Sequence, residues 1–140
     1  MSTSAAFSVS FFEEDGIWAV HPEGASLSLS EVLHGDAVFV SGKLMDPTFA
    51  YKVTGRYVPF AAAIAKGFAR GERGSGKKKM PILERKRGGI VLGVLLLDVS
   101  ENDLQKLDAF EQVPELRERV SIRVTVGARE RPAYTFLLKR

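Results

Sequence analysis

The 140-residue chain contains no cysteine, which excludes disulfides, thiolate nucleophiles and thiolate metal sites. Histidine is scarce too: His21 and His34 are too few for most zinc sites unless carboxylates complete the shell. The opening MSTSAAFSVSFF lacks the basic segment and long apolar stretch of a secretory signal. The longest apolar run, IVLGVLLL, is far shorter than the roughly 20 residues of a membrane span. These absences predict a soluble, cytoplasmic protein with no membrane segment.

What remains is an ordinary globular composition, 45% hydrophobic, in a length that suits one domain with its own core. Residues 1–140 are read as that single domain, since no linker or internal repeat divides them. The net charge of +3 is unevenly spread. Between Arg70 and Arg87, eight basic residues face Glu72 and Glu84, a local balance of +6, so the rest of the chain carries −3.

Along the chain, FSVSFF and GIWAV flank EEDG and predict an N-terminal hairpin around an Asp-Gly turn. SLSEVLHG predicts a short helix, with a capping box from Ser28 to Glu31 and Gly35 as its stop. AVFVSG reads as a buried strand, KLMDP as a turn and YKVTGRYV, which alternates, as another strand. PFAAAIAKGFARG is ambiguous, because its alanines favour a helical turn while Pro59, Gly67 and Gly71 interrupt it. ERGSGKKK reads as a loop; MPILE and GIVLGVLLLDV read as two strands, the second central because both its faces are apolar. Ser100 caps the helix SENDLQKLDAFE, with Asp103 closing its box. RERVSIRVTV and PAYTFLLK are two closing strands, joined through VGARERP. Seven or eight mostly antiparallel strands and one main helix favour an α+β fold: a small, partly closed β-barrel with the helix packed on it.

Candidate chemistry is sparse. Gly71 to Lys78, GERGSGKK, nearly matches the phosphate-loop pattern, but Lys78 stands where a magnesium-ligating Ser or Thr is needed, and no strand-to-helix context surrounds it. The same lysines could contact nucleic acid or an acidic partner, yet no aromatic residues are interleaved for base stacking, and a solvated loop is the preferred reading. Ser41 at a strand end lacks the GxSxG elbow of a nucleophilic serine. Met45, Met80 and Trp18 fit a core better than a cofactor contact.

Glu111 is the anomaly. With Leu104 at the top of a helical wheel, Leu107 falls at about 300°, Phe110 at about 240° and Glu111 at about 340°. A carboxylate therefore lies between two leucines on the buried face, where Leu104, Leu107 and Phe110 are expected to pack. Asp108, at about 40°, reads instead as a structural hydrogen-bond acceptor.

Two blocks bear on this. Val38 to Pro47, VFVSGKLMDP, resembles the VFVYGTLMDP-type opening of the γ-glutamylcyclotransferase-like, or AIG2-like, family. GIVLGVLLLDVSENDLQKLDAFEQVPELRERVSIRV resembles its second hallmark, a VxGxLL strand, then seeDLxxLDxFEG, then an ERVxVxV strand. The resemblance spans roughly Asp36 to Leu138 and leaves residues 1–35 as an extension outside it.

The resemblance implies a small-molecule γ-glutamyl substrate, cyclised to 5-oxoproline without metal or organic cofactor. It makes Glu111 the acid/base residue and the Ser41, Gly42, Lys43, Leu44 turn the substrate-binding loop, whose backbone amides take the α-carboxylate. The chain departs from the family at three positions: Ser41 and Phe136 stand where tyrosines are usual, and Gln112 replaces the glycine of LDxFEG. A small-anion-binding module on the same fold is the alternative reading, since an inherited fold does not guarantee an inherited reaction.

Overall fold

A computed structural model describes the chain at residues 35–139 and, for the backbone alone, at residues 19–20. The elements are β1 (Ala19–Val20), β2 (Asp36–Val40), α1 (Pro47–Thr54), β3 (Phe60–Arg73), β4 (Met80–Val99), α2 (Glu101–Phe110), β5 (Arg117–Val126) and β6 (Arg129–Leu138). The strand order β3-β4-β2-β6-β5 closes on itself where Ile64 of β3 pairs with Thr125 of β5, giving the small barrel expected, here closed and of five strands. Among the described residues only the β2–β6 pairing is parallel. Ala19 and Val20 add to β3 opposite Ala61 and Phe60. The rest of the N-terminal hairpin and the Ser28 to Glu31 capping box lie outside the described residues.

Strand alternation sorts the core into two compartments. Ala37 and Phe39 of β2, with Leu95 and Leu97 of β4, point into the barrel beside Ala61, Ala63 and Ala65 of β3. Val38, Val40 and Leu96 point the other way, into a second cluster under the helices with Leu104 and Leu107. The small side chains of the β3 alanines fill a narrow interior, which is why a stretch that looked half helical is a strand. Near the end of β4, Asp98 adopts φ 51 and the β2–β4 register shifts between Asp36 and Val38. That bulge moves Val99 from barrel parity to the helix-side cluster, next to the start of α2.

Several local expectations are corrected. YKVTG is not a strand: Tyr51 to Thr54 belong to α1. The boundary signals were present, with Asp46 accepting from the Thr48 amide, Pro47 at the first turn and Gly55 at φ 86 as the stop. MPILE and GIVLGVLLLDV form one strand, β4, with a register break opposite Gly67, whose φ of 86 resets the alternation so that Phe68 again faces the core. β4 lies between β3 and β2, but Ile90 and Leu92 on its outer face are 64% and 66% exposed, beyond the reach of the helices. The loop at ERGSGKKK is shorter than its composition suggested, since β3 runs to Arg73 and only Gly74 to Lys79 turn the chain. Strand, one 3-10 turn, strand is not phosphate-loop geometry. The last hairpin is also tighter than VGARERP implied: Gly127, φ 60, gives a two-residue connection between Val126 and Arg129. The described residues contain six strands and two α-helices, where seven or eight strands and one helix were expected.

Helix α2 begins as the sequence indicated. Ser100 accepts from the Asp103 amide, and the Asp103 carboxylate accepts from the Ser100 amide. The same carboxylate, 3% exposed, takes two hydrogen bonds from Arg56, which also donates to the Asp98 carbonyl at the bulge. Burial pushes the Asp103 carboxyl up, but the bonds from Arg56 and Ser100 and the Arg56 charge outweigh it, so it ends below its ordinary value. Lys106 donates to the Thr54 carbonyl and so ties α2 to the C-terminal end of α1.

Asp103→Ala removes the capping box and leaves Arg56 with a carbonyl alone. Urea denaturation should show a loss of about 2 kcal/mol. Arg56→Ala, at a side chain 39% exposed, should cost less because solvent already screens that charge. Equal losses, or none for Asp103→Ala, would contradict this account of how α2 is held.

Candidate active site

The end of α2 and the turn after β2 meet at a cavity of about 370 Å³. Ser41 to Leu44 form one wall, Phe110 to Gln112 a second, and the outer part of the β3–β4 hairpin, with Arg70 and Lys79, a third. Thr135 and Phe136 of β6 lie against it as well, with Arg117 from the start of β5.

The wall at Ser41 to Leu44 is built from backbone. Lys43–Met45 is a short 3-10 turn whose first intrahelical bond is Met45 N–H to the Gly42 carbonyl, 3.0 Å. The amides of Gly42, Lys43 and Leu44 precede that donor and are the ones such a turn offers to an anion. A Cβ on Gly42 would meet no protein atom within 4 Å, so the space beside that glycine is open. Leu44 is buried in the helix-side cluster, and its side chain anchors the turn. The Lys43 ammonium rests 5.9 Å from the centre of the Phe49 ring.

The second wall explains the carboxylate on the apolar face. Leu104 and Leu107 are fully buried, and helix α2 ends at Phe110. Glu111 is the C-cap, its amide donating to the Leu107 carbonyl at 2.9 Å. The wheel position therefore holds to the last turn, and the Glu111 side chain is 18% exposed. Phe110 was expected to be buried and is instead 39% exposed, packed edge-on against Phe49 of α1 at 5.4 Å. Gln112 follows with φ 59, a left-handed conformation that favours glycine. The glycine usual at this point of the resemblance thus has a physical reason. Here a glutamine occupies the turn and brings a polar side chain to the cavity lining.

Electrostatically, burial pushes the Glu111 carboxyl above its ordinary value, and the charge of Arg117 draws it partly back. The Arg117 side chain is only 10% exposed, with Nε 3.4 Å from Glu111 Oε2 and an η nitrogen 3.3 Å from the Glu111 carbonyl oxygen. Both contacts are long for a charged pair. The carboxylate is thus desolvated and near a cation without being locked to it, an arrangement suited to exchanging a proton.

All five residues singled out from sequence, Ser41, Gly42, Lys43, Leu44 and Glu111, line this one cavity. Sequence reasoning missed Arg117, Arg70, Lys79 and Gln112. Arg117 opens RERVSIRVTV, which reads only as a closing strand; Arg70 sits in the ambiguous PFAAAIAKGFARG, and Lys79 ends the loop ERGSGKKK. Asp108 lies apart from the lining, its carboxylate 3.4 Å from Arg119, whose guanidinium covers the Tyr134 ring. Phe136 is buried in the helix-side cluster, so neither it nor Ser41 supplies a phenol hydroxyl here. Among the described residues no group of three or more His, Asp or Glu could hold a metal ion, and no helix is long and apolar enough to cross a membrane.

Residues 38–140 match the family described as "Gamma-glutamyl cyclotransferase, AIG2-like". No curated protein matches. Among solved structures, the chain is similar to At5g39720.1 from Arabidopsis thaliana, with 26% identity and a TM-score of 0.66 over 79% of this chain and 73% of that one. A structure titled "Gamma-glutamyl cyclotransferase" aligns with 14% identity and a TM-score of 0.62 over 75% of this chain and 67% of that one. An AIG2-like protein from Mus musculus aligns with 22% identity and a TM-score of 0.54 over 74% of this chain and 77% of that one. The last two, below 25% identity, speak to the fold alone, and they agree with the small α+β barrel.

The raised Glu111 carboxyl has a consequence for stability. Between its ordinary value and its raised one, the folded state holds more protons than the unfolded state, so stability falls as pH rises through that window. Glu111→Gln removes this slope. Urea unfolding of both proteins from about pH 4 to about pH 8 should show wild type losing ground to the variant as pH rises. Parallel curves would contradict a desolvated acid at this position.

Proposed function

The chain belongs to the AIG2-like gamma-glutamyl cyclotransferase family, and from that premise we propose that it cyclises a γ-glutamyl amine or peptide to 5-oxoproline and releases the amine. Gly42 to Leu44 amides hold the substrate's α-carboxylate. Glu111 takes a proton from the α-ammonium, and the freed nitrogen attacks the γ-carbonyl carbon of the same molecule. A ring C–N bond forms and the original γ-amide C–N bond breaks; Glu111 returns its proton to the departing nitrogen, and the second proton shed by the ring nitrogen also ends on that amine, which leaves as its ammonium. No oxidant, reductant or outside nucleophile enters the balance. The attack is intramolecular, so the site has mainly to fold the substrate and move protons, work that suits a desolvated carboxylate facing an anion-binding turn.

The observation that supports this reading is the shared cavity: a carboxyl raised by burial and the Gly42 to Leu44 turn, about 67 residues apart in the chain, line one cleft. Arg117 has two uses in it. Its charge draws the Glu111 carboxyl back towards its ordinary value, which favours the ionised form a base needs, and it can pair with a substrate carboxylate once Glu111 is protonated. The same arginine supports the second reading, a small-anion-binding module, because a buried cation beside unpartnered amides is an anion site even without turnover. Ser41 and Phe136, where the family usually has tyrosines, point the same way.

Incubation with a panel of γ-glutamyl compounds, read out as 5-oxoproline, separates the two. Wild type should form product, and Glu111→Gln should lower turnover by about a hundredfold or more while leaving the far-ultraviolet circular dichroism unchanged. Asp108→Asn should act mainly on stability, since Asp108 does not line the cavity. Undiminished turnover in Glu111→Gln would refute the assigned role. Binding of γ-glutamyl compounds without product from wild type would favour the module.

A further inference from the structure

Glu111 is the only carboxylate among the cavity-lining residues, against four cations: Lys43, Arg70, Lys79 and Arg117. Arg117 is engaged with Glu111, and Lys43 belongs to the turn. Arg70 and Lys79 stand on the third wall, the β3–β4 hairpin, where neither the α-carboxylate nor the reacting carbonyl needs them. With the γ-glutamyl head on the turn and its γ-carbon beside Glu111, the half of the substrate that departs faces this hairpin wall.

Arg70 is held in place for such a role. Its guanidinium donates to the Leu92 carbonyl and lies 3.8 Å from Met45 Sδ, bridging the hairpin to the residue that ends the turn. Part of the entropy of ordering a long cationic side chain is therefore already spent before a ligand arrives. Lys79 is loosely engaged: its ion pair with Glu72 spans 3.6 Å between two side chains about 60% exposed, a pair too weak to compete with a ligand carboxylate.

We propose that the departing half of the substrate is itself acidic, an amino acid or short peptide carrying at least two carboxylates, received at the cavity's hairpin wall by Arg70 and Lys79. The inference rests on the cyclotransferase reading and specifies its substrate class. A neutral amino acid would leave one of the two cations unmatched, and a cationic amine would be repelled by both.

The test compares γ-glutamyl-glutamate, γ-glutamyl-alanine and γ-glutamyl-putrescine with the full chain. The glutamate compound should lead the alanine one by about threefold to fivefold in kcat/KM, the scale of the one part-exposed ion pair that its extra carboxylate adds, and the lead should shrink as salt rises. In Arg70→Gln/Lys79→Gln the ratio should fall towards one. If the alanine or putrescine compound is cyclised as well as the glutamate compound, the acidic class is overturned while the cyclotransferase reading stands. If none is cyclised, that reading fails, and calorimetric titration with the same three compounds decides the charge selection alone. Equal affinities then overturn it, and a preference for the glutamate compound that Arg70→Gln/Lys79→Gln abolishes sustains it.

Discussion

The docking of α2 on the outer face of the barrel, through Leu104 and Leu107, is the contact on which the candidate site depends. Those two leucines are fully buried against Val38, Val40 and Leu96, the outward-pointing residues of β2 and β4. Burial of each contributes about 1.5–3 kcal/mol, far more than any ion pair nearby. The contact fixes both ends of the helix. At its start the bulge at Asp98 and the Arg56–Asp103 pair set where it leaves the sheet. At its end Glu111 is delivered beside the turn that β2 runs into. Because β2 supplies both the docking surface and the turn, the distance between carboxylate and amides is set by one short strand.

The electrostatic character of the site follows from that packing. A carboxylate at the C-cap of a helix would ordinarily be solvated and unfavourably placed at the negative end of the helix dipole. Here the neighbouring residues leave its side chain only 18% exposed, and Arg117 supplies a compensating charge at 3.4 Å. Desolvation outweighs the arginine, so the net effect is a carboxyl that holds its proton more readily than usual. Asp103, also buried, moves the opposite way because four hydrogen-bonding or charged contributions from Arg56 and Ser100 stabilise its ionised form. The acids at the two ends of α2 thus differ: Asp103 fixes the helix start, and Glu111 stands desolvated beside Arg117 at its end.

Much of this was legible in the sequence, and the exceptions have physical causes. The capping box at Ser100, the buried alternation of AVFVSG and the paired strands β5 and β6 are local patterns, and local patterns read well. The wheel position of Glu111 was informative because it conflicted with its residue type. Helix α1 was read as a strand because Tyr51, Val53 and Tyr57 alternate. The Asp46-Pro47 start and Gly55 stop, which mark a helix, carried more weight than that alternation. Phe110 is exposed because Phe49 covers only one side of its ring, a tertiary fact with no local signature. Arg117 escaped notice for a similar reason: its contacts with Glu111 are tertiary, and nothing in RERV distinguishes it from Arg119.

The central claim is that the Gly42 to Leu44 turn and Glu111 act as one ligand site, and amide nuclear magnetic resonance tests it most directly. Titration with 5-oxoproline, the product of the proposed reaction, should perturb the amides of Gly42, Lys43, Leu44, Glu111 and Gln112 together, along one saturable curve. Perturbations confined to the exposed basic residues of the β3–β4 hairpin, or different saturation at the turn and at Glu111, would contradict the account.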